Sequence, residues 1–133
     1  MNKRLLITGA VLGMLSIVFG AFGAHGLKTL IAESSIQTFE TGVRYQMYHA
    51  FLLLIVGGTN FVSLKAKKSV YWLVLVGVIL FSGSIYGLST NTLTSFDFKI
   101  IGFVTPIGGL LLILAWGFAV VNLIKNKSKI GDN

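Results

Sequence analysis

The chain has 133 residues, of which 54% are hydrophobic and only 11% are charged. An ordinary soluble domain has roughly a quarter of its residues charged, so a globule of this composition could not cover its surface with polar side chains. This excludes a water-soluble fold. The formal net charge of +7 does not indicate nucleic-acid binding, because the basic residues form short clusters beside apolar stretches, where they set membrane orientation.

The first apolar stretch, 5–22, follows Lys3 and Arg4 and is close to the ~20 residues that a membrane span needs. A charged start, an apolar run and small residues also describe a signal peptide. We interpret the stretch as the first membrane helix.

The second span, 47–64, is preceded by an amphipathic extension in which apolar residues recur at helical spacing. Ser34 and Gln37 have the spacing of a capping box, so we expect one long helix that starts near Ser35. The third and fourth spans, 70–88 and 101–124, are separated by a polar loop. The sequence therefore predicts an all-α, integral membrane four-helix bundle in a single domain.

The distribution of basic residues predicts the orientation of these four spans, because cytoplasmic loops carry an excess of Lys and Arg. Three basic residues fall on one side, namely Lys28, Arg44 and Lys99. Eight fall on the other side, namely Lys3, Arg4, Lys65, Lys67, Lys68, Lys125, Lys127 and Lys129. Both termini are therefore expected in the cytoplasm.

Small residues provide the predicted packing faces, because membrane helices associate through close backbone approach. The candidates are Gly9, Gly13, Ser16 and Gly20 on helix one, Gly77 and Gly87 on helix three, and Gly102 and Gly109 on helix four. Such faces serve packing within the bundle, and they also serve self-association.

Polar residues near the predicted outer ends of the helices form a candidate cluster, since such residues at membrane depth often mark function. Its members are His25, Glu40, Arg44, Tyr45, Gln46, His49, Ser84, Tyr86 and Thr105. The two histidines could titrate near neutral pH, relay protons or bind a metal. The alternative is structural: histidines that cap or cross-link helix ends, an ion pair between Glu40 and Arg44, and a belt aromatic at Tyr86. We expect no metal, no cofactor and no catalytic residue, because two histidines fall short of a closed zinc site and no nucleophile with its base is visible.

Four motifs are similar to those of a known family. They are Gly-Ala-Phe-Gly-Ala-His-Gly-Leu at 20–27, Phe-Glu-Thr-Gly-Val-Arg-Tyr-Gln at 39–46 with His49, Gly-Ser-Ile-Tyr at 83–86 and Thr-Pro-Ile-Gly-Gly at 105–109. Their order over nearly the whole chain resembles the uncharacterised small membrane proteins grouped with bacterial YgdD and eukaryotic transmembrane protein 256. The resemblance implies a four-span protein of the bacterial plasma membrane, and it brings no established activity, substrate or cofactor.

The leading hypothesis is a non-catalytic membrane component that acts through contacts with lipid, with another membrane protein or with a second copy of itself. The first alternative is an oligomeric transporter or channel for a small solute or ion that uses the outward-facing cluster. The second alternative is an enzyme acting on a lipid or quinone.

Overall fold

The computed structural model describes residues 1–126, so the predicted cytoplasmic Lys127 and Lys129 lie outside the described residues. The described part consists of helices and turns without a strand. Its four α-helices are α1 (Asn2–Ala21), α2 (Glu33–Gly58), α3 (Leu64–Ser89) and α4 (Val104–Lys125). A π-helical turn, Phe22–Gly26, extends α1, and two 3-10 turns, Asn91–Leu93 and Phe98–Ile101, lie between α3 and α4.

Three helical segments are long and apolar enough to cross a membrane: Asn2–Gly26, Leu64–Ser89 and Phe98–Lys125. The prediction of an all-helical membrane bundle is confirmed. The 26 residues of α2 equal the length of α3, but the first two turns of α2 are largely polar and lower its mean hydropathy. The crossing of the membrane by α2 stays a prediction.

The predicted capping box at the start of α2 is wrong. The helix begins at Glu33, and Ser34 already lies inside it. The N-cap residue is Ala32, which makes no side-chain hydrogen bond to the helix. The start is set by the preceding turn, in which the amides of Leu30 and Ile31 bond to the carbonyl of Leu27. The Leu27 side chain is buried, which fixes the position of this turn. The helix can therefore begin before Ser34.

Consecutive helices pack side by side, with α2 and α3 in the centre and α1 and α4 on the two outer sides. The core lies mainly between Leu5 of α1, the last turns of α2 and the apolar face of α3 around Val70 and Val74. Outer helices also reach the central helix that is not their neighbour in the chain. Thr8 Oγ1 of α1, for example, donates to Tyr71 Oη of α3 at 3.3 Å.

Most of the small residues singled out in the sequence lie against another helix. A methyl group at Gly9 would stand 2.9 Å from the carbonyl oxygen of Ala50, and one at Gly77 would stand 2.7 Å from the side chain of Leu112. Ser16 is buried. The nearest atoms to methyl groups at the other positions belong to Ala50 and Met47 for Gly13, Val43 for Gly20, Phe98 for Gly87 and Phe81 for Gly109.

Gly102 differs from the other predicted packing residues. It precedes α4, which begins at Val104, and the only neighbour of a methyl group there would be the carbonyl oxygen of Lys99 in its own turn. Gly108 makes the closest backbone approach: a methyl group there would overlap the backbone nitrogen of Phe81 on α3.

Candidate functional site: polar links between the helices

Gln46 joins three helices through both ends of its side-chain amide. It is 2% exposed, and its Nε2 donates to the carbonyl oxygen of Leu12 on α1 at 2.9 Å. Its Oε1 accepts from Tyr86 Oη on α3 at 2.6 Å. Phe19 and Phe39 pack against the Tyr86 ring, with centroids 5.3 and 4.9 Å away. Both polar ends of Gln46 are thus used inside the bundle.

His49 joins α2 to α4. Its Nδ1 lies 2.6 Å from the carbonyl oxygen of Tyr45, and Trp116 Nε1 donates to its Nε2 at 3.1 Å. An indole N–H can only donate, so Nε2 must be the acceptor and Nδ1 carries the proton. The ring is therefore a neutral imidazole with both nitrogens occupied, which leaves no nitrogen for a metal.

Two serines link α3 to its neighbours at the level of the predicted cluster. Ser84 Oγ lies 2.5 Å from Thr105 Oγ1 on α4 and also donates to its own helix at the carbonyl of Phe81. Ser82, which the sequence did not single out, is fully buried and donates to the carbonyl oxygen of Gly42 on α2 at 2.7 Å. Each of these hydroxyl groups fixes a helix pair.

The remaining predicted members lie apart from these links. Arg44 is exposed and donates to Thr41 Oγ1 at 3.2 Å, and within residues 1–126 no ion pair joins it to Glu40. His25 is exposed at the end of the π-helical turn. Gly23, two residues earlier, faces Phe39, which lies ten residues, or about 15 Å, along α2 from His49. The two histidines cannot act together.

The predicted cluster is therefore not one site. Of His25, Tyr45, His49 and Tyr86, only Tyr45 and His49 line a common space. This is a groove of about 320 Å³ between α2 and α4, completed by Phe81, Gly109, Leu112, Ile113 and Trp116. The Tyr45 and Phe81 rings, which both line the groove, pack against each other with centroids 5.1 Å apart. The groove is mostly apolar. Its polar side chains His49 and Trp116 are hydrogen-bonded to each other.

A second group of polar links closes the opposite end of the bundle. Lys67 is 3% exposed and donates to Asn2 Oδ1 at 2.9 Å and to the carbonyl oxygen of Thr59 at 2.5 Å. Asn122 of α4 accepts from the Ser63 amide at 2.7 Å and donates to its hydroxyl at 3.2 Å, while that hydroxyl caps α3. These contacts tie all four helices together beside the turn between α2 and α3.

Sequence reasoning missed Trp116, Ser82, Asn122 and the burial of Lys67. Lys67 resembled any other member of the basic turn, and the spacing of residues along one helix says nothing about its partners on another. The only available signal was the presence of isolated polar residues in apolar helices, which in lipid must find partners. Within residues 1–126, every buried side-chain nitrogen and oxygen has a hydrogen-bond partner, and no group of three His, Cys, Asp or Glu could hold a metal.

The apolar helices, packed through small residues and linked by internally satisfied polar groups, define a helical integral membrane protein. A family model described as "Protein of unknown function (DUF423)" matches residues 19–109. The UPF0382 membrane protein YwdK of Bacillus subtilis is 38% identical over 125 residues, which cover 92% of this chain and 98% of that protein. The UPF0382 membrane protein SH2409 of Staphylococcus haemolyticus is 38% identical over 126 residues, which cover 92% of this chain and 97% of that protein.

This chain belongs to the DUF423, or UPF0382, family of membrane proteins, whose function is unknown. The predictions of an uncharacterised family and of an integral membrane protein of unknown activity are confirmed. No solved structure matches the chain.

Proposed function

We propose that this protein is a non-catalytic component of the bacterial plasma membrane that acts through contacts of its outer surface with lipid, another membrane protein or a second copy. The observation that carries the proposal is the use of buried polar groups. The amide of Gln46, the imidazole of His49 and the hydroxyl of Ser82 all form hydrogen bonds to another helix. Such groups stabilise a bundle in lipid, and their bonds to neighbouring helices support a structural role for them.

The proposal includes four membrane-crossing helices with both termini in the cytoplasm. At 1.5 Å per residue, the 26 residues of α2 reach about 39 Å, enough to cross a hydrocarbon core of about 30 Å. Six of the nine basic residues in 1–126 lie at the end where α1 and α3 begin, and the three acids of this segment lie at the other end. This asymmetry favours the basic end as cytoplasmic.

The resemblance to the grouping of YgdD and transmembrane protein 256 supports the same proposal. Its four motifs fall within residues 19–109, which the family model matches. We infer that those proteins share this arrangement of helices.

The test combines topology with isolation. Reporter fusions at residue 62 and at the end of the chain are expected on the cytoplasmic side, and a fusion at residue 93 on the outer side. Purification from gentle detergent is expected to retain lipid, a partner or a second copy. A strictly monomeric protein that retains no lipid and no partner would contradict the proposed role, and a fusion at residue 62 on the outer side would contradict the topology.

A transporter or channel built as an oligomer is the second candidate, and the groove between α2 and α4 favours it. Flux of a solute or ion through proteoliposomes that falls in His49→Ala, but not in His25→Ala, would support it. His25 is the matched control because it is exposed and outside the groove. Unchanged flux in both variants would remove the groove from any pathway. An enzyme acting on lipid or quinone ranks third, since no described nucleophile lies beside a base.

A further inference from the structure

A cleft opens at the basic end of the bundle, between the first turns of α1 and α3. It has a volume of about 640 Å³ and is lined by Met1, Arg4, Leu64, Lys65 and Lys68. Arg4 comes from one helix and the two lysines from the other, and all three are exposed. Three cationic groups from two helices therefore surround one space.

These cations have no counter-charge within residues 1–126. No carboxylate of this segment forms an ion pair with any of them, and the acids Glu33, Glu40 and Asp97 all lie at the opposite end of the bundle. Lys67 is different, because its ammonium group is buried and bonded to Asn2 and Thr59. Among the residues that the structure describes, the charges around the cleft are therefore all positive, which favours an anion.

The cleft also has an apolar side that a free anion would not use. Leu64 on its wall is 69% exposed, and the exposed Trp72 lies four residues after Lys68, so both side chains share one face of α3. Basic residues and an exposed tryptophan at this position are typical of the boundary between headgroups and hydrocarbon. From Lys68 to Trp72 this face of α3 therefore passes from cationic to apolar, in the direction in which a lipid molecule passes from headgroup to acyl chain, whereas Leu64 is the first residue of the helix.

We propose that this cleft binds one anionic phospholipid. The phosphate diester lies among Arg4, Lys65 and Lys68, with the guanidinium suited to two parallel hydrogen bonds, and an acyl chain follows α3 past Trp72. This inference rests on the proposed placement of the helices across a bilayer and names one partner of the outer surface. It requires nothing of the groove at His49.

The chain offers matched controls for the charge itself. Lys3 is adjacent to Arg4 and also exposed, and Lys125 lies at the same end on α4, yet neither lines the cleft. A general attraction of anionic lipid to a basic surface would decrease equally when either pair of residues is neutralised. If the cleft is a specific site, neutralising Arg4 should reduce lipid binding more than neutralising Lys3. Neutralising Lys65 and Lys68 together should likewise reduce it more than neutralising Lys3 and Lys125 together.

The experiment is native mass spectrometry of the full chain, released from nanodiscs that contain equal amounts of phosphatidylglycerol and phosphatidylcholine. We expect one retained phosphatidylglycerol per protein. Each basic residue near a membrane surface contributes about a fivefold preference for anionic lipid, so Arg4→Gln should lower the ratio of bound phosphatidylglycerol to phosphatidylcholine about fivefold. Lys65→Gln with Lys68→Gln should lower it more than tenfold. Equal losses in the controls Lys3→Gln and Lys3→Gln with Lys125→Gln would overturn the site.

A second readout follows the acyl chain. Phosphatidylglycerol brominated on its acyl chains should quench tryptophan fluorescence more than brominated phosphatidylcholine does, and this difference should disappear in Trp72→Phe and in Lys65→Gln with Lys68→Gln. If the difference persists in Trp72→Phe, the proposed position of the acyl chain beside Trp72 is wrong. Displacement of the lipid by inorganic phosphate alone would show a free-phosphate site and overturn the lipid assignment.

The unfolding midpoint in detergent separates this inference from the proposed function. The substituted side chains are exposed, so the variants should unfold with the wild-type midpoint. Absence of a phosphatidylglycerol preference in a protein with that midpoint overturns the lipid site alone. Failure of the wild-type chain to enter nanodiscs overturns both the site and the proposed function.

Discussion

Gly108 and Gly117 lie on the same helix and differ in what a methyl group would meet. At Gly108 the methyl carbon would overlap the backbone nitrogen of Phe81 and stand 2.8 Å from the carbonyl carbon of Leu80. At Gly117 it would meet nothing within 4 Å. Substitution of each glycine by alanine therefore tests whether α3 and α4 are in backbone contact.

The expected magnitudes follow from these distances. Carbon atoms prefer separations of about 3.5–4.0 Å, so Gly108→Ala forces α3 and α4 apart by several tenths of an ångström or more. Overpacking of this kind costs about 1–3 kcal/mol, and we take the upper end because the obstacle is backbone. Alanine returns about 1 kcal/mol of helix propensity at either position. Gly108→Ala should therefore lower the free energy of unfolding by about 2 kcal/mol, and Gly117→Ala should raise it by up to about 1 kcal/mol.

Reversible unfolding by sodium dodecyl sulfate in mixed micelles, followed by circular dichroism, measures both variants against the wild type. Gly83→Ala on α3, which also has open space around it, is a second control. Changes of the same sign and size at Gly108 and Gly117 would refute close contact between the two backbones.

Three further predictions concern the polar links, each measured by the same unfolding titration. Gln46→Leu and Tyr86→Phe should each destabilise the bundle by about 1 kcal/mol and show a coupling energy of about 0.5–1.5 kcal/mol in a double-mutant cycle, whereas additive effects would argue against their hydrogen bond. Trp116→Phe should cost about 1 kcal/mol and should have no further effect once His49 is replaced by leucine; an undiminished effect there would contradict the indole–imidazole bond. Lys67→Met should cost about 3 kcal/mol or more, since it removes the bonds to Asn2 and Thr59 and bonds to a charged group are worth about 1.5–3 kcal/mol each, and a neutral result would show that its burial is unimportant.

The helices were predictable because lipid imposes simple demands on sequence. A segment such as 70–88 must be apolar over the thickness of the membrane, and the backbone must satisfy its own hydrogen bonds as a helix. The ends were less predictable. Ser63 caps α3 at Leu64, so the basic turn proved to be the first turn of that helix, while Leu27 set the start of α2 at Glu33 instead of near Ser35.

The sequence predicted the members of the candidate cluster only in part, because it does not show which side chains of different helices meet. Tyr86 and Gln46 were placed in the same candidate cluster, and they form a hydrogen bond. His25 and His49 were grouped because each is near a predicted helix end, but His49 lies nine residues before the end of α2, at mid-helix. An error of a few residues in a boundary moves a side chain by several ångströms, which is more than the length of a hydrogen bond.

The sequence by itself determined that lipid surrounds the helices, how many helices there are and how charge differs between the two ends. These properties depend on composition and on the order of apolar and basic segments. Only the tertiary structure decided which polar atoms meet: Gln46 with Tyr86 and Leu12, His49 with Trp116, and Lys67 with Asn2 and Thr59. The physical reason is that membrane helices of similar hydropathy can pack in many rotations. The rotation is selected by the fit of small residues such as Gly9 and Gly108 against a neighbouring helix, and the spacing of residues along one helix does not contain that fit.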